Sequence, residues 1–138
     1  MRWSRRGSAL IEFAGSLIVL TATFVGLFEI GYAFFTYGTL VTAVRAGARY
    51  SASRQHGAVA DPEVANAVRN LVVYGDPAPA ANARPLAQGL TPANVEIVEG
   101  PDTSTVSLRG FAIDALFTKV NLDGCPTVTF PLARRGGK

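Results

Sequence analysis

The sequence predicts an α+β chain: a long N-terminal helix, a short second helix and a small antiparallel sheet of about three strands. Three observations carry this. Within residues 13–44 only Glu29 is charged, so the apolar residues are concentrated in one block. Asp61-Pro62-Glu63 opens a second segment with apolar residues at helical spacing. After Pro92 the pattern turns to apolar–polar alternation, the mark of strands with one buried face. The 138 residues leave room for one domain of ordinary size. A chain 49% hydrophobic and 17% charged is not disordered as a whole. The single cysteine excludes a disulfide scaffold.

The apolar block comes first. Residues 13–44 would span about 48 Å as a helix at 1.5 Å per residue. A bilayer core is about 30 Å thick, so one membrane span fits with two or three turns to spare. No later segment approaches this apolar length, which predicts a single span. A secretory signal has a shorter apolar region. Ala46-Gly47-Ala48 could mimic its cleavage site, but the run before it is too long and Arg45 stands just ahead. Arginines flank both ends (Arg2, Arg5 and Arg6 against Arg45, Arg49 and Arg54), so charge bias alone does not orient the span.

Along this helix Gly15, Ala22, Gly26 and Ala33 fall close to one line at about 100° per residue. Small residues on one face permit close helix approach in a membrane or filament. Glu12 and Glu29 lie about 25 Å apart along the axis, near the apolar thickness of a bilayer. Glu12 thus stands at the start of the span, where an unpaired carboxylate is costly. Glu29 stands near the outer interface, to pair with a neighbour's arginine or to be solvated.

Gly7, four further residues and then Glu12-Phe13, behind a short basic leader, resemble the processing site of type IV prepilins. That resemblance implies cleavage after Gly7 by a membrane-embedded prepilin peptidase on the cytoplasmic side. Ser8 becomes the new N-terminus and the apolar segment stays with the mature protein. It also gives Glu12 a partner, the α-ammonium of Ser8 on a neighbouring subunit. The plainer alternative is a single-pass binding module with an uncleaved anchor and no filament role.

The resemblance extends to Ile11-Glu12-Phe13-Ala14, Phe28-Glu29-Ile30-Gly31 and Ala43-Val44-Arg45-Ala46-Gly47-Ala48-Arg49-Tyr50. Together these blocks are similar to the TadE-like family, pilin-like proteins of the tight-adherence (Tad, or Flp) type IV pilus. Major Flp pilins resemble a leader plus a bare helix, and TadG-type proteins carry a large added domain. This chain, with about 90 residues beyond the helix, resembles a minor pilin or pseudopilin. Flp pilins usually have Glu-Tyr where this chain has Glu12-Phe13, which again points away from the major subunit. The implied partners are the prepilin peptidase, other pilin and pilin-like subunits, and the Tad inner-membrane assembly platform. The implied location is the cytoplasmic (inner) membrane, with the N-terminus cytoplasmic and the C-terminal domain outside, and the pilus itself on assembly.

Beyond the span, residues 45–54 continue the helical pattern and Gln55-His56-Gly57 break it. Asp61 reads as the N-cap, Pro62 as the first helical residue and Glu63 as a first-turn acid. Val64, Val68, Leu71 and Val72 follow at helical spacing, and Tyr74-Gly75-Asp76-Pro77 ends the helix. Residues 76–92 read as an extended loop pinned to the core by Leu86 and Leu90. Strands follow at Val95 and Ile97, at residues 105–108 and at residues 127–130, with Glu99-Gly100-Pro101-Asp102 turning between the first two. Residues 111–120 extend the second strand, or form a short helix carrying Phe111, Leu116 and Phe117 to the core. Residues 134–138 read as a polar tail. The organisation is a leader over 1–7, an assembly helix over 8–54 and a small α+β domain over 55–138.

No enzyme constellation emerges, and no cofactor or metal site is predicted. His56, the only histidine, sits in a polar turn. Cys125 lacks a neighbouring histidine; it reads as a small buried residue, a free thiol or, in an oxidising compartment, an intermolecular disulfide. Asp114 and Asp123 have no calcium-loop spacing. The basic residues are dispersed, which argues against nucleic acid, and nothing points to a small-molecule substrate. The net charge of +3, from 13 basic and 10 acidic residues, belongs to the leader. Without Arg2, Arg5 and Arg6, ten basic residues face ten acidic ones.

Overall fold

The computed structural model describes residues 4–54, 61–115 and 117–132. Helix α1 (Ser4–Ala52) is a single 49-residue helix. Helix α2 (Pro62–Tyr74) follows, then β1 (Val95–Glu99), β2 (Thr103–Leu108), β3 (Ala112–Asp114), β4 (Lys119–Asn121) and β5 (Thr127–Pro131). The α+β class stands as read. His56, Leu116 and residues 134–138 lie outside the described residues, as does the break at Gln55-His56-Gly57, although α1 does end at Ala52.

Helix α2 forms where its caps place it. The Asp61 carboxylate accepts from the Glu63 backbone N–H at 2.9 Å, so one orphan donor of the first turn is satisfied. Gly75, with φ 77°, closes the other end and donates to the Leu71 carbonyl at 3.0 Å. That left-handed position suits glycine. Val68, Val72 and Val73 are fully buried, while Val64 and Leu71 are half-buried at the flanks of the same face.

Strands β1, β2 and β5 form an antiparallel sheet in the order β1-β2-β5. Ile97, Val106 and Val128 share one row of the ladder, and Val95 faces Leu108. That face meets α1. The other face carries Thr105 and Thr129, whose hydroxyls bond at 2.8 Å, and Glu96, which is ion-paired with Arg109 at 2.6 Å. The turn between β1 and β2 is the expected one, with the Gly100 N–H donating to the Thr103 carbonyl at 2.7 Å.

Residues 111–120 are neither a strand extension nor a helix. They open an antiparallel hairpin, β3–β4, pairing Ala112 with Asn121 and Asp114 with Lys119. The hairpin leaves the sheet after β2 and returns before β5. Phe111 reaches the core as expected, but Phe117 is 77% exposed. The apolar count of this segment misleads, because the turn between β3 and β4 carries Phe117 away from the core. Residues 76–92 do form the loop, but its anchors are Leu90 and Ala87. Leu86 is held by its backbone N–H on the Val73 carbonyl while its side chain stays partly exposed. Cys125 is exposed with a free thiol, so the buried alternative for it falls.

The core lies between the C-terminal half of α1, α2 and the sheet. Leu40, Val44 and Ala48 of α1 are fully buried against Val68 and Val72 of α2 and Val106 and Leu108 of β2. The packed unit therefore draws on the helix as well as on the residues after it.

Candidate functional site

The N-terminal half of α1 leaves this core and stands alone. Every side chain from position 7 to position 24 is exposed, including Leu10, Ile11, Phe13, Ile18 and Phe24. The helix is long and apolar enough to cross a membrane, with a mean hydropathy of 2.0 in its best window and none of that window buried. A core helix of a soluble protein would be covered by its own chain; this half is not, and its length and apolar surface fit a single membrane anchor. Its polar residues are adapted to that demand. Ser16, Thr21 and Thr23 donate their hydroxyls to the carbonyls of Glu12, Leu17 and Val19 at 2.8–2.9 Å. Each donor is thus satisfied within the helix and needs no water.

Gly7 and Ser8 are exposed near the helix start, and a Cβ at Gly7 would meet nothing within 4 Å. Glu12 and Phe13 follow on the bare surface. Among the described residues no side chain pairs with the Glu12 carboxylate. Glu29 differs. Its carboxylate accepts a hydrogen bond from the Phe117 backbone N–H, at the tip of the β3–β4 hairpin. Within the chain its partner is a backbone amide 88 positions away in sequence. No local signal could have found it.

The four small residues divide along the helix. Gly15 and Ala22 are exposed and Gly26 is half-buried, with open space around the positions a Cβ would take at both glycines. Ala33 is half-buried and lines a cleft of about 290 Å³ with Ile30, Phe34, Ile113, Val120 and Leu122. A second groove, of about 570 Å³, runs between α1 and α2 beside Gly38, Thr42, Ala46 and Leu71. The glycine with a decided packing role is Gly47, which the small-residue line did not include. A Cβ there would come within 2.5 Å of Val72 Cγ2, so the glycine lets α2 pack closely on α1. Among the described residues no three metal-ligating side chains gather.

Residues 7–49 match the family model described as TadE-like protein. Over this stretch the long helix is similar to TadE-like proteins. The match begins at the glycine of the proposed cleavage site and ends within the buried part of α1. It points to a structural protein associated with a Tad pilus and placed at a membrane by this apolar helix. No curated protein and no solved structure matches the chain. The TadE-like helix thus stands with family support, and the domain folded onto its far end stands on its own geometry.

Proposed function

We propose that this chain is a minor pilin or pseudopilin of a Tad (Flp, type IVc) pilus. Prepilin peptidase removes residues 1–7, and the mature chain assembles through α1 to initiate, cap or modulate a pilus used in adhesion. Its partners are the peptidase, other pilin and pilin-like subunits, and the Tad inner-membrane platform. Before assembly α1 spans the cytoplasmic membrane once, with its N-terminus inside and the α+β domain outside.

The observation that carries this reading is the bare, TadE-like half of α1, with an unpaired Glu12 just inside the apolar surface and Gly7 at processing distance before it. An unpaired carboxylate beside lipid is unfavourable. A neighbouring subunit's Ser8 α-ammonium supplies the opposite charge. Two unit charges 4 Å apart attract by about 4 kcal/mol at an effective dielectric of 20, and the attraction is gained only when a subunit docks. Small residues at Gly15 and Ala22 leave room for the neighbouring helix.

Mass spectrometry of the N-terminus tests the proposal. In cells with an active prepilin peptidase the mature chain begins at Ser8, and a Gly7→Val chain keeps its leader. An intact leader on the unaltered chain in such cells would overturn the reading. Glu12→Ala leaves membrane insertion intact and reduces pilus yield at least tenfold; normal piliation would exclude the charge-pairing step.

A further inference from the structure

We propose that the β3–β4 hairpin is a membrane-docking element whose tip, at Phe117, seats in the outer-leaflet headgroup region beside the spanning helix. This rests on the reading of α1 as a membrane span.

The hairpin has two ends with different surroundings. At its base Ile113 and Leu122 are buried in the core. At its tip Phe117 is 77% exposed. A large aromatic ring on a projecting turn is costly in water. Its height on the molecule is fixed by the hydrogen bond from its backbone N–H to Glu29. A span beginning near Leu10 reaches Glu29 after about twenty residues, which is about 30 Å of helix. That is the thickness of the hydrocarbon core. The tip thus stands where α1 passes from acyl chains into headgroups.

Three neighbours agree with that level. Tyr32 and Tyr37, partly exposed one and two turns further on, are the residue type that collects at membrane interfaces. Lys119 and Asp114, ion-paired at 3.1 Å and both largely exposed, put a polar rim beside the tip that suits the headgroup region. The cleft between Ala33, Ile113 and Val120 opens at the same height and continues the uncovered surface of α1 at Ile30 and Phe34. Lipid is therefore adjacent to the tip by construction, and the occupant is the phospholipid leaflet itself. Two points of attachment, α1 and the hairpin, would fix the height and tilt of the domain over the membrane before assembly.

Tryptophan depth measurements on the full chain in phosphatidylcholine–phosphatidylglycerol vesicles test this. Trp3, the only native tryptophan, is replaced in a Trp3→Phe background, and single probes are added as Phe117→Trp, Phe24→Trp or Val98→Trp. Val98 sits opposite Thr105, next to Ser104, which bonds Ser51 far up α1, so it reports bulk water. The expected result is at least a twofold loss of Phe117→Trp emission with lipids brominated near the headgroup, and none for Val98→Trp. An unquenched Phe117→Trp beside a quenched Phe24→Trp would overturn the docking and leave the span standing. If neither is quenched, the spanning reading itself fails and the inference with it. A blue shift at Phe117→Trp that grows with protein-to-lipid ratio without bromine quenching would assign the tip to a second copy and overturn the lipid assignment.

Discussion

The two halves of α1 share one continuous helix but differ in what covers them. From position 7 to position 24 nothing is buried, and Phe, Leu, Ile and Val occur on all sides. From position 36 onward a narrow stripe disappears into the core: Thr36, Leu40, Ala43, Val44, Gly47, Ala48, Ser51 and Ala52. That stripe repeats at helical spacing and is made largely of small residues, because α2 and the sheet press directly on it. The bare half has no preferred side, as suits a helix surrounded by lipid or by other subunits. One helix is thus adapted to two media, and the change comes where the hairpin and the domain begin to touch it.

The comparison can be broken most forcefully at Leu40. Leu40→Ala removes a fully buried side chain and should cost the domain about 2–5 kcal/mol, read by pulse proteolysis in urea of the full chain in detergent. Leu20→Ala, the same change in the bare half, should leave that transition unmoved. Equal losses at the two sites would mean that the halves are not distinct.

Glycines sharpen the contrast with a smaller effect. Gly47→Ala drives a Cβ against Val72 and should cost about 1–3 kcal/mol. Gly26→Ala meets open space and should not destabilise the domain. Combining Gly47→Ala with Val72→Ala should cost less than the sum of the two single changes, since the smaller side chain makes room; strict additivity would argue against the close crossing. The smallest expected effect is at the cap of α2. Asp61→Ala leaves the Glu63 N–H without its partner and should cost about 1 kcal/mol, seen as a modest shift of the same transition.

Much of this fold was legible because its signals are local. Asp61, Pro62 and Gly75 bound α2 through caps that act within a few residues. The alternation at Val95 and Ile97, at residues 105–108 and at residues 127–130 marks strands with one buried face, and all three pair in a single sheet. The β3–β4 hairpin was harder to read. Its strands have three residues each, too few for a period to declare itself, and Phe111 and Phe117 look alike in sequence although one is core and the other exposed. Of the candidate site, the roles of Gly7 and Glu12 are proposals from their spacing, while the long apolar surface could be read directly. The contact between Glu29 and Phe117 and the crossing at Gly47 could not, since each joins segments distant in the chain.

The sequence by itself determined the long apolar helix, its two carboxylates and the TadE-like pattern around them, since composition and spacing along one helix are one-dimensional properties. It also determined that a small α+β unit follows. Only the tertiary structure decided which half of the helix the domain would claim. Only the tertiary structure set Phe117 at the level of Glu29 and made Gly47, not the Gly15–Ala33 line, the tight crossing within the chain. Those outcomes depend on where the return path of the chain brings a second surface against the first, and no local pattern encodes that distance.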